Sequence, residues 1–207
     1  MEKTIRIETR GGVIEGELNI PQNALGLVLF AHGSGSSRFS ARNNYVAQVL
    51  QKNNLATLLI DLLTAQEDTD YENRFDIDML SERLIQVTQW LKENEETKDL
   101  KIGYFGASTG AAAAINAAVV EPVFAVVSRG GRVDLAPENL SKIKAPTLLI
   151  VGGNDDFVLE ANEQALEKIK SEKKLAVIPG ATHLFEEPGA LEKVAQAATE
   201  WFVKYVV

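Results

Sequence analysis

The sequence contains no cysteine among its 207 residues, and this absence removes several kinds of chemistry at once. Disulfide bonds, thiolate metal sites and cysteine nucleophiles are all excluded. The lack of cysteine also fits a cytoplasmic location, which is the location we expect. Long hydrophobic runs are missing too, since none approaches the roughly 18–20 residues that a membrane-spanning helix needs. The first residues, Met1–Ile5, show no secretory signal pattern. We therefore expect no contact with membranes.

Basic residues are fewer than acidic ones. The chain has 21 Lys and Arg against 29 Asp and Glu, which gives a formal net charge of −8. Because nucleic-acid binding requires a basic surface, nucleic acid is not an expected partner. Hydrophobic residues make up 45% of the chain, a proportion typical of globular proteins. The length predicts a single domain over residues 1–207. We expect a monomer or a homodimer.

Short hydrophobic runs recur along the chain and predict a mainly parallel β-sheet. Thr4–Glu8 and Ile14–Ile20 alternate between apolar and polar residues around a Gly11-Gly12 turn, which predicts an antiparallel hairpin at one edge. The later runs are apolar at consecutive positions, a pattern typical of parallel strands buried on both faces. These runs are Leu25–Ala31, Leu55–Ile60, Ile102–Phe105, Val123–Val127, Thr147–Val151 and Leu175–Ile178.

The segments between these runs supply helices. Apolar residues recur at steps of three and four in Ile77–Leu91 and in Leu191–Tyr205, which predicts two amphipathic helices. Thr109–Val120 is rich in alanine and predicts a helix that packs closely on the sheet. The predicted fold class is therefore α/β, with helices on both faces of the sheet. The acidic stretch Gln66–Glu72 is interpreted as a solvated loop.

A serine follows one of the predicted strands at the position where parallel sheets usually carry their chemistry. The segment Gly106–Gly110 reads Gly-Ala-Ser-Thr-Gly and is followed directly by the alanine-rich helix. A serine on such a sharp turn exposes its hydroxyl, and glycines two positions away relieve the crowding. The start of the helix presents unpaired N–H groups that can stabilise an oxyanion. Ser108 is therefore a candidate nucleophile, with a simple tight turn as the alternative.

A histidine and an aspartate follow two other strands. His183, one of only two histidines, comes shortly after the run that ends at Ile178. Its imidazole is suited to proton transfer near neutral pH, although a lone loop histidine can also be a surface residue. Asp155 and Asp156 follow the run that ends at Val151, and a carboxylate there could orient the imidazole. The chain order Ser108, aspartate, His183 matches the nucleophile–acid–histidine order of one specific fold.

The second histidine, His32, lies in the segment His-Gly-Ser-Gly after the first long strand. The glycines leave the backbone accessible, so the N–H of Ser34 could pair with that of Thr109 as an oxyanion hole. For the His32 side chain, a structural hydrogen bond is favoured over substrate binding.

Four motifs in this order resemble the dienelactone hydrolase family over essentially the whole chain. They are His32–Gly35, Gly106–Gly110, the Gly-x-x-Asp-x-x-Val pattern of Gly152–Val158, and Thr182–Phe185. Within that pattern the resemblance assigns the acid to Asp155. The stretch Val127–Arg132 also resembles a small bacterial subgroup, some members of which are fused to a phosphoribosyltransferase domain.

The resemblance implies an α/β-hydrolase fold and acyl transfer through a triad of Ser108, His183 and Asp155, with no metal and no cofactor. The members that gave the family its name use cysteine as nucleophile, whereas this chain has serine. This departure favours general ester hydrolysis over the family's lactone chemistry. The interval Ser128–Ala145 is too short for a cap domain, so we expect a small-molecule ester as substrate.

Three arginines are predicted just beyond strand ends on the same side as Ser108. Arg38, Arg129 and Arg132 could bind an anionic substrate, because guanidinium groups bind carboxylates in a bidentate manner. The alternative is that each of them pairs with one of the many acidic side chains of this protein.

Two other functions remain open at this point. A nucleotide-dependent oxidoreductase is suggested by Gly33-x-Gly35 after a buried strand and by Asp61 at the end of the next one. The third glycine of that pattern is replaced by Arg38, which argues against it. A non-catalytic binding module with the same fold is the second alternative.

Overall fold

The hydrophobic runs form one eight-stranded sheet in the computed structural model, which describes residues 2–206. The strand order is β1-β2-β4-β3-β5-β6-β7-β8. The strands are β1 (Glu2–Thr9), β2 (Gly12–Asn19), β3 (Gly26–Ala31), β4 (Leu55–Ile60), β5 (Ile102–Ala107), β6 (Val126–Arg129), β7 (Thr147–Gly152) and β8 (Lys173–Ile178). β1 pairs antiparallel with β2, and β2 antiparallel with β4, whereas all other pairs are parallel. The predicted hairpin and mainly parallel sheet are confirmed.

Helices cover both faces of this sheet, as predicted. They are α1 (Ala41–Lys52), α2 (Ile77–Glu93), α3 (Thr109–Val120), α4 (Asp156–Lys168) and α5 (Ala190–Val206). α1 and α5 pack on one face around Phe30, Phe105 and Phe202, and the other three helices cover the opposite face. The central strands β3, β4, β5, β6 and β7 are buried along their whole length, which explains their continuous apolar sequences.

The prediction that the β8 strand is buried on both faces is wrong. Lys173, Lys174 and Val177 are exposed, and only Ile178 is buried. The reason is its position, because β8 pairs with β7 alone and ends the sheet. β6 also begins later than the predicted run, at Val126 rather than Val123.

The acidic stretch after β4 is more ordered than a solvated loop. It contains two 3₁₀ helices, Glu67–Thr69 and Tyr71–Phe75. Both carboxylate oxygens of Glu67 accept hydrogen bonds at 2.7 Å from one Nη atom of Arg83, a buried residue of α2. Burial would raise the pKa of Glu67, but the N–H of Thr64 and the charge of Arg83 together hold this pKa below its usual value. The solvated interpretation is therefore wrong for Glu67.

The candidate residues from four strand ends gather at the carboxyl edge of the sheet. Ser108 follows β5, His32 follows β3, Asp155 follows β7, and His183 lies in the loop after β8. The chain between β6 and β7 contains one short 3₁₀ turn, Val133–Leu135, and no cap domain in the described structure. In the described structure, no cap domain therefore covers the carboxyl edge of the sheet.

Candidate active site

Ser108 occupies a strained turn between β5 and α3. Its φ is 51° and its ψ is −120°, a conformation that side-chain-bearing residues rarely adopt. Close packing explains the neighbouring glycines. A Cβ on Gly106 would lie 2.5 Å from Cα of Ala111, and one on Gly110 would lie 2.3 Å from the carbonyl oxygen of Ala31. Ser108 is the N-cap residue of α3, yet its hydroxyl makes no capping hydrogen bond. The hydroxyl is therefore available for other contacts.

The turn is held on one side by the chain that leaves β6. The N–H of Ser108 donates to the carbonyl oxygen of Arg129 at 3.2 Å, and the N–H of Arg132 donates to the carbonyl oxygen of Ser108 at 3.0 Å. On the other side, a Cβ on Gly33 would lie only 3.0 Å from Cβ of Ser108. The loop after β3 can therefore approach Ser108 closely only because residue 33 is glycine.

Asp155 and His183 form a hydrogen-bonded pair beside this turn. Nδ1 of His183 lies 2.6 Å from Oδ2 of Asp155. Asp155 is the N-cap residue of α4 but makes no capping hydrogen bond, so its carboxylate serves the histidine instead of the helix. Asp156 is exposed in the first turn of α4. The structure thus brings Asp155, and not Asp156, to His183.

The loops that carry this pair are connected by backbone hydrogen bonds. The N–H of Asn154 donates to the carbonyl oxygen of Ala181 at 2.9 Å. Nδ1 of His183 lies 3.4 Å from the position that a Cβ on Gly130 would take, so the ring rests against the chain after β6. Among the described residues, no hydrogen bond joins Oγ of Ser108 to His183. Two of the three side chains are therefore in hydrogen-bond contact in this state.

Ser34 and Thr109 lie together, but one of their N–H groups is occupied. The N–H of Ser34 donates to Oγ1 of Thr109 at 2.9 Å. Thr109 is buried as the first residue of α3, while Ser34 is exposed. The two residues proposed from the sequence as oxyanion donors are thus adjacent, with a side-chain hydroxyl at the Ser34 N–H.

Both ring nitrogens of His32 are engaged by the backbone. Nδ1 lies 2.9 Å from the carbonyl oxygen of Gly33, and Nε2 accepts from the N–H of Leu62 at 3.1 Å. These partners assign the proton to Nδ1 and connect the loops after β3 and β4. Burial lowers the pKa of His32, although Gly33 and the carboxylates of Asp61 and Asp68 act in the opposite direction. No ring nitrogen is left to bind a substrate.

The lowered pKa predicts that His32 makes stability depend on pH. Below about pH 6.5 the unfolded chain takes up a proton on this histidine that the folded chain resists, so stability is lost as pH falls. We expect the loss to reach at most about 1.4 kcal/mol per pH unit from this residue. Urea unfolding of wild type and His32→Gln between pH 5 and 8 measures it. The advantage of wild type over the variant should shrink toward pH 5, and an advantage that stays constant with pH would contradict the assignment.

Comparison with known proteins identifies the family. The model of the dienelactone hydrolase family matches residues 28–206. The chain belongs to the dienelactone hydrolase family. A crystal structure of a dienelactone hydrolase from Anabaena variabilis is 56% identical, with a TM-score of 0.96 over 99% of this chain and 98% of that one.

Two further comparisons define the limits of this similarity. A Mycobacterium tuberculosis protein named a putative phosphoribosyl transferase is 55% identical over 93% of this chain, which spans only 44% of that protein. Est1E from Butyrivibrio proteoclasticus is 18% identical, with a TM-score of 0.83 over 98% of both chains, and shares the fold.

This member of the dienelactone hydrolase family has a cavity of about 250 Å³ beside Ser34 and Thr109. Apolar side chains on its wall include Leu62, Leu63 and Leu80. Two ion pairs, Arg38 with Asp61 and Arg74 with Asp68, also line it. Of the lining residues after β4, only Asp68 belongs to the acidic stretch Gln66–Glu72. The position of Asp61–Ala65, just beyond the carboxyl end of β4, is the sequence signal that points to this cavity.

The three arginines of this dienelactone hydrolase family member differ in their partners. Arg38 pairs with Glu15, Glu17 and Asp61, and Arg132 pairs with Asp134 at 2.8 Å. Arg129 is buried and forms no ion pair with a carboxylate of the described residues. Arg38 and Arg132 are thus occupied by acids, whereas Arg129 is not.

Metal and membrane features are also absent from residues 2–206. No group of three or more His, Cys, Asp or Glu side chains is placed to hold a metal ion in this part of the chain. No helix within the same residues has both the length and the apolar character for a membrane span.

Proposed function

We propose that this protein is a serine hydrolase that cleaves small carboxylic esters through an acyl-enzyme on Ser108. The observation that carries the proposal is the hydrogen-bonded pair of Asp155 and His183 beside a serine in a strained strand-to-helix turn. Family membership supports hydrolysis as the reaction class. The reaction uses side chains and backbone of this chain, without metal or cofactor, on a small-molecule ester.

In the first step, Oγ of Ser108 attacks the ester carbonyl carbon. Nε2 of His183 takes the hydroxyl proton, and Asp155 stabilises the resulting imidazolium through Nδ1–H. The carbonyl π bond breaks as the new C–O bond forms, so the negative charge moves to the carbonyl oxygen. The hydrogen bond between His183 and Ser108 forms when substrate binds, because catalytic contacts commonly tighten only in the substrate complex.

The N–H groups of Thr109 and Ser34 then stabilise this oxyanion. The Ser34 N–H exchanges its hydrogen bond with Oγ1 of Thr109 for one with the substrate oxygen. Because the N–H of Ser34 has a partner both before and after substrate binds, the exchange leaves this donor satisfied.

Collapse of the tetrahedral intermediate breaks the bond to the alcohol, which leaves with the proton that His183 held. Water then attacks the acyl-enzyme, with His183 accepting its proton and returning it to Oγ of Ser108. The products are one carboxylic acid and one alcohol, so one water is consumed per ester.

The cavity supports a small substrate. Its volume of about 250 Å³ is below the range of about 300–1,000 Å³ typical of sites for drug-sized ligands. The leucine side chains suit a short apolar group, and the position beside Ser34 and Thr109 places that group next to the oxyanion donors.

Neither alternative function has comparable support. In the oxidoreductase, Asp61 would bind a ribose hydroxyl, but its two oxygens are taken by the N–H and guanidinium of Arg38. A non-catalytic binding module would have no need for a strained serine beside a hydrogen-bonded acid–histidine pair.

The test is covalent labelling with a fluorophosphonate probe, read as intact-protein mass, together with turnover of 4-nitrophenyl acetate. We expect one adduct on wild type and none on Ser108→Ala, and we expect the same variant to lose turnover. Circular dichroism of both proteins controls for folding.

Two results would contradict the proposal. An unlabelled wild type without turnover would favour the non-catalytic module. An adduct of equal yield on Ser108→Ala would place the nucleophile at another residue.

A further inference from the structure

Asn162 occupies a position of α4 where the helix pattern calls for an apolar side chain. The residue is fully buried, and the buried residues before and after it on this face of the helix are Val158 and Ala165. The spacing of four and three residues places all three on the face that packs against the rest of the protein. An amide at the centre of such a face loses its hydration, which is unfavourable unless hydrogen bonds replace it. The contacts of this amide therefore indicate its role.

The amide nitrogen of Asn162 binds the chain that leaves β6. Nδ2 donates to the carbonyl oxygen of Gly131 at 2.8 Å and to that of Val158, four residues earlier in the same helix, also at 2.8 Å. These two hydrogen bonds use both hydrogens of the amide. Oδ1 is buried and has no hydrogen-bond partner among the described residues. The nitrogen thus makes a specific contact outside its own helix, whereas the buried oxygen gives no reason to prefer an amide to an apolar side chain.

Gly131 lies in a tightly packed segment, Gly130–Arg132, which we call the β6 turn. A Cβ on Gly131 would lie 1.9 Å from Oγ of Ser128 and 2.7 Å from Cβ of Ala111, so its backbone lies directly against β6 and α3. The preceding Gly130 has a φ of 52°, in the left-handed region that favours glycine. Among the described residues, Asn162 supplies the only side chain that hydrogen-bonds to the backbone of this turn. This contact therefore connects the β6 turn to α4.

The β6 turn contacts both Ser108 and His183. The N–H of Arg132 donates to the carbonyl oxygen of Ser108 at 3.0 Å. The position that a Cβ on Gly130 would take lies 3.4 Å from both Cε1 and Nδ1 of His183. Gly131, whose carbonyl oxygen accepts the Asn162 amide, lies between these two contacts in the chain. A displacement of this carbonyl group would therefore disturb the serine and the histidine together.

The helix that carries Asn162 also carries the proposed acid. Asp155 is the N-cap residue of α4, seven residues before Asn162, which corresponds to about two helical turns. The carbonyl oxygen of Asp155 accepts the N–H of Leu159 at 2.8 Å, so this residue is part of the hydrogen-bond ladder of the helix. The hydrogen bond from Asn162 to Gly131 thus connects the helix that orients His183 with the turn that supports the serine.

We propose that Asn162 is a positioning residue, which fixes the placement of Ser108 relative to the Asp155–His183 pair through the carbonyl group of Gly131. The inference rests on the proposed ester hydrolysis and adds to it a residue that touches neither the substrate nor the reacting atoms. Attack on the ester requires the serine hydroxyl and the imidazole in hydrogen-bond contact. A misplacement of about 1 Å by a distant change can lower a rate by about a hundredfold. Loss of the hydrogen bond to Gly131 therefore lowers the rate of the chemical steps.

The kinetic test replaces Asn162 by leucine, which fills a similar volume but cannot donate to Gly131. We expect kcat on 4-nitrophenyl acetate to fall by about tenfold or more in Asn162→Leu. The KM should stay within about twofold, because the groups that contact the ester are unchanged. The matched control is Thr199→Val in α5. It removes a hydroxyl that donates to the carbonyl oxygen of Ala195, four residues earlier in its own helix, and it should keep the kcat of wild type.

Hydrogen–deuterium exchange gives a readout that is independent of turnover. The N–H of Ser108 donates to the carbonyl oxygen of Arg129, and the N–H of Arg132 donates to that of Ser108. We expect both N–H groups to exchange about tenfold faster or more in Asn162→Leu, while those of β4 exchange as in wild type. The Tm should change by no more than about 4 °C, because leucine adds apolar contacts whereas the Gly131 carbonyl loses its donor.

The outcomes separate this role from the proposed hydrolysis. A wild type that the fluorophosphonate probe does not label would remove the hydrolysis, and hydrogen exchange alone would then decide whether Asn162 holds the serine turn. A kcat of wild type in Asn162→Leu, an equal loss of kcat in Thr199→Val, or a raised KM at unchanged kcat would overturn the positioning role. If Asn162→Leu does not fold, Asn162→Ser decides with the same readouts. Its shorter side chain can bond to the carbonyl of Val158 but does not reach that of Gly131.

Discussion

Asp155→Asn should lower kcat/KM on 4-nitrophenyl acetate by about a thousandfold or more. The Asp155 carboxylate accepts the Nδ1–H of His183 at 2.6 Å, which fixes the tautomer with a free Nε2. An amide at this position can donate its own N–H to Nδ1, and this selects the tautomer that cannot take a proton from Ser108. The charge that stabilises the imidazolium is lost as well. Steady-state kinetics measures the effect.

Asp156→Asn is the matched control for this substitution. It removes the same charge from the adjacent residue, but Asp156 is exposed in the first turn of α4, and the described structure shows no hydrogen bond from it to His183. We expect less than about a threefold change, the scale of a surface charge near a helix start. A larger loss in Asp156→Asn than in Asp155→Asn would move the acid by one residue.

Arg83→Met should lower the free energy of unfolding by about 3 kcal/mol, because it removes one partner of a buried ion pair. Arg83 is 3% exposed, and it contacts both carboxylate oxygens of Glu67 as well as the hydroxyl of Thr9. The variant leaves the Glu67 carboxylate beside Thr64 without its cation, in a partly desolvated place. Urea denaturation at neutral pH measures the change.

The control for this pair is Arg74→Met, which removes an arginine from the exposed pair with Asp68 on the same segment. Exposed ion pairs contribute little to the free energy of unfolding. Arg74→Met should therefore change the unfolding midpoint far less than Arg83→Met does. The double variant Arg83→Met/Glu67→Leu should recover part of the lost stability, since it removes the unpaired charge. Equal losses in Arg83→Met and Arg74→Met would show that burial adds nothing to the Glu67–Arg83 pair.

The fold could be predicted from the sequence because its signals are local. Runs such as Leu55–Ile60 are apolar at consecutive positions, and this pattern requires cover on both faces. The positions of Ser108, Asp155 and His183 were predictable for the same reason, since each follows a strand end within a few residues. The choice of Asp155 over Asp156 came from the resemblance to the family, and the structure brings Asp155 to the histidine.

Contacts between distant segments could not be predicted in this way. Arg38 and Arg129 look alike in the sequence, but Arg38 meets the carboxylates of β2 and of the residue after β4. The side chain of Arg129 contacts the first turn of α1 and the ring of Phe185. Which acidic side chain reaches which arginine depends on strand order and helix placement. The residues that flank Arg38 and Arg129 in the sequence carry no information about either.

The two ends of the sheet bear on how copies of this protein behave at high concentration. β1 and β8 each pair on one side only, so each has a free row of backbone donors and acceptors. Such edges invite strand addition and aggregation. Exposed charges occupy both of them, Arg6 and Glu8 on β1 and Lys173 and Lys174 on β8. A further strand added to β8 would have to desolvate Lys173 and Lys174, which is unfavourable. The two lysines that interrupt the apolar pattern of β8 therefore also disfavour edge-to-edge assembly of this protein.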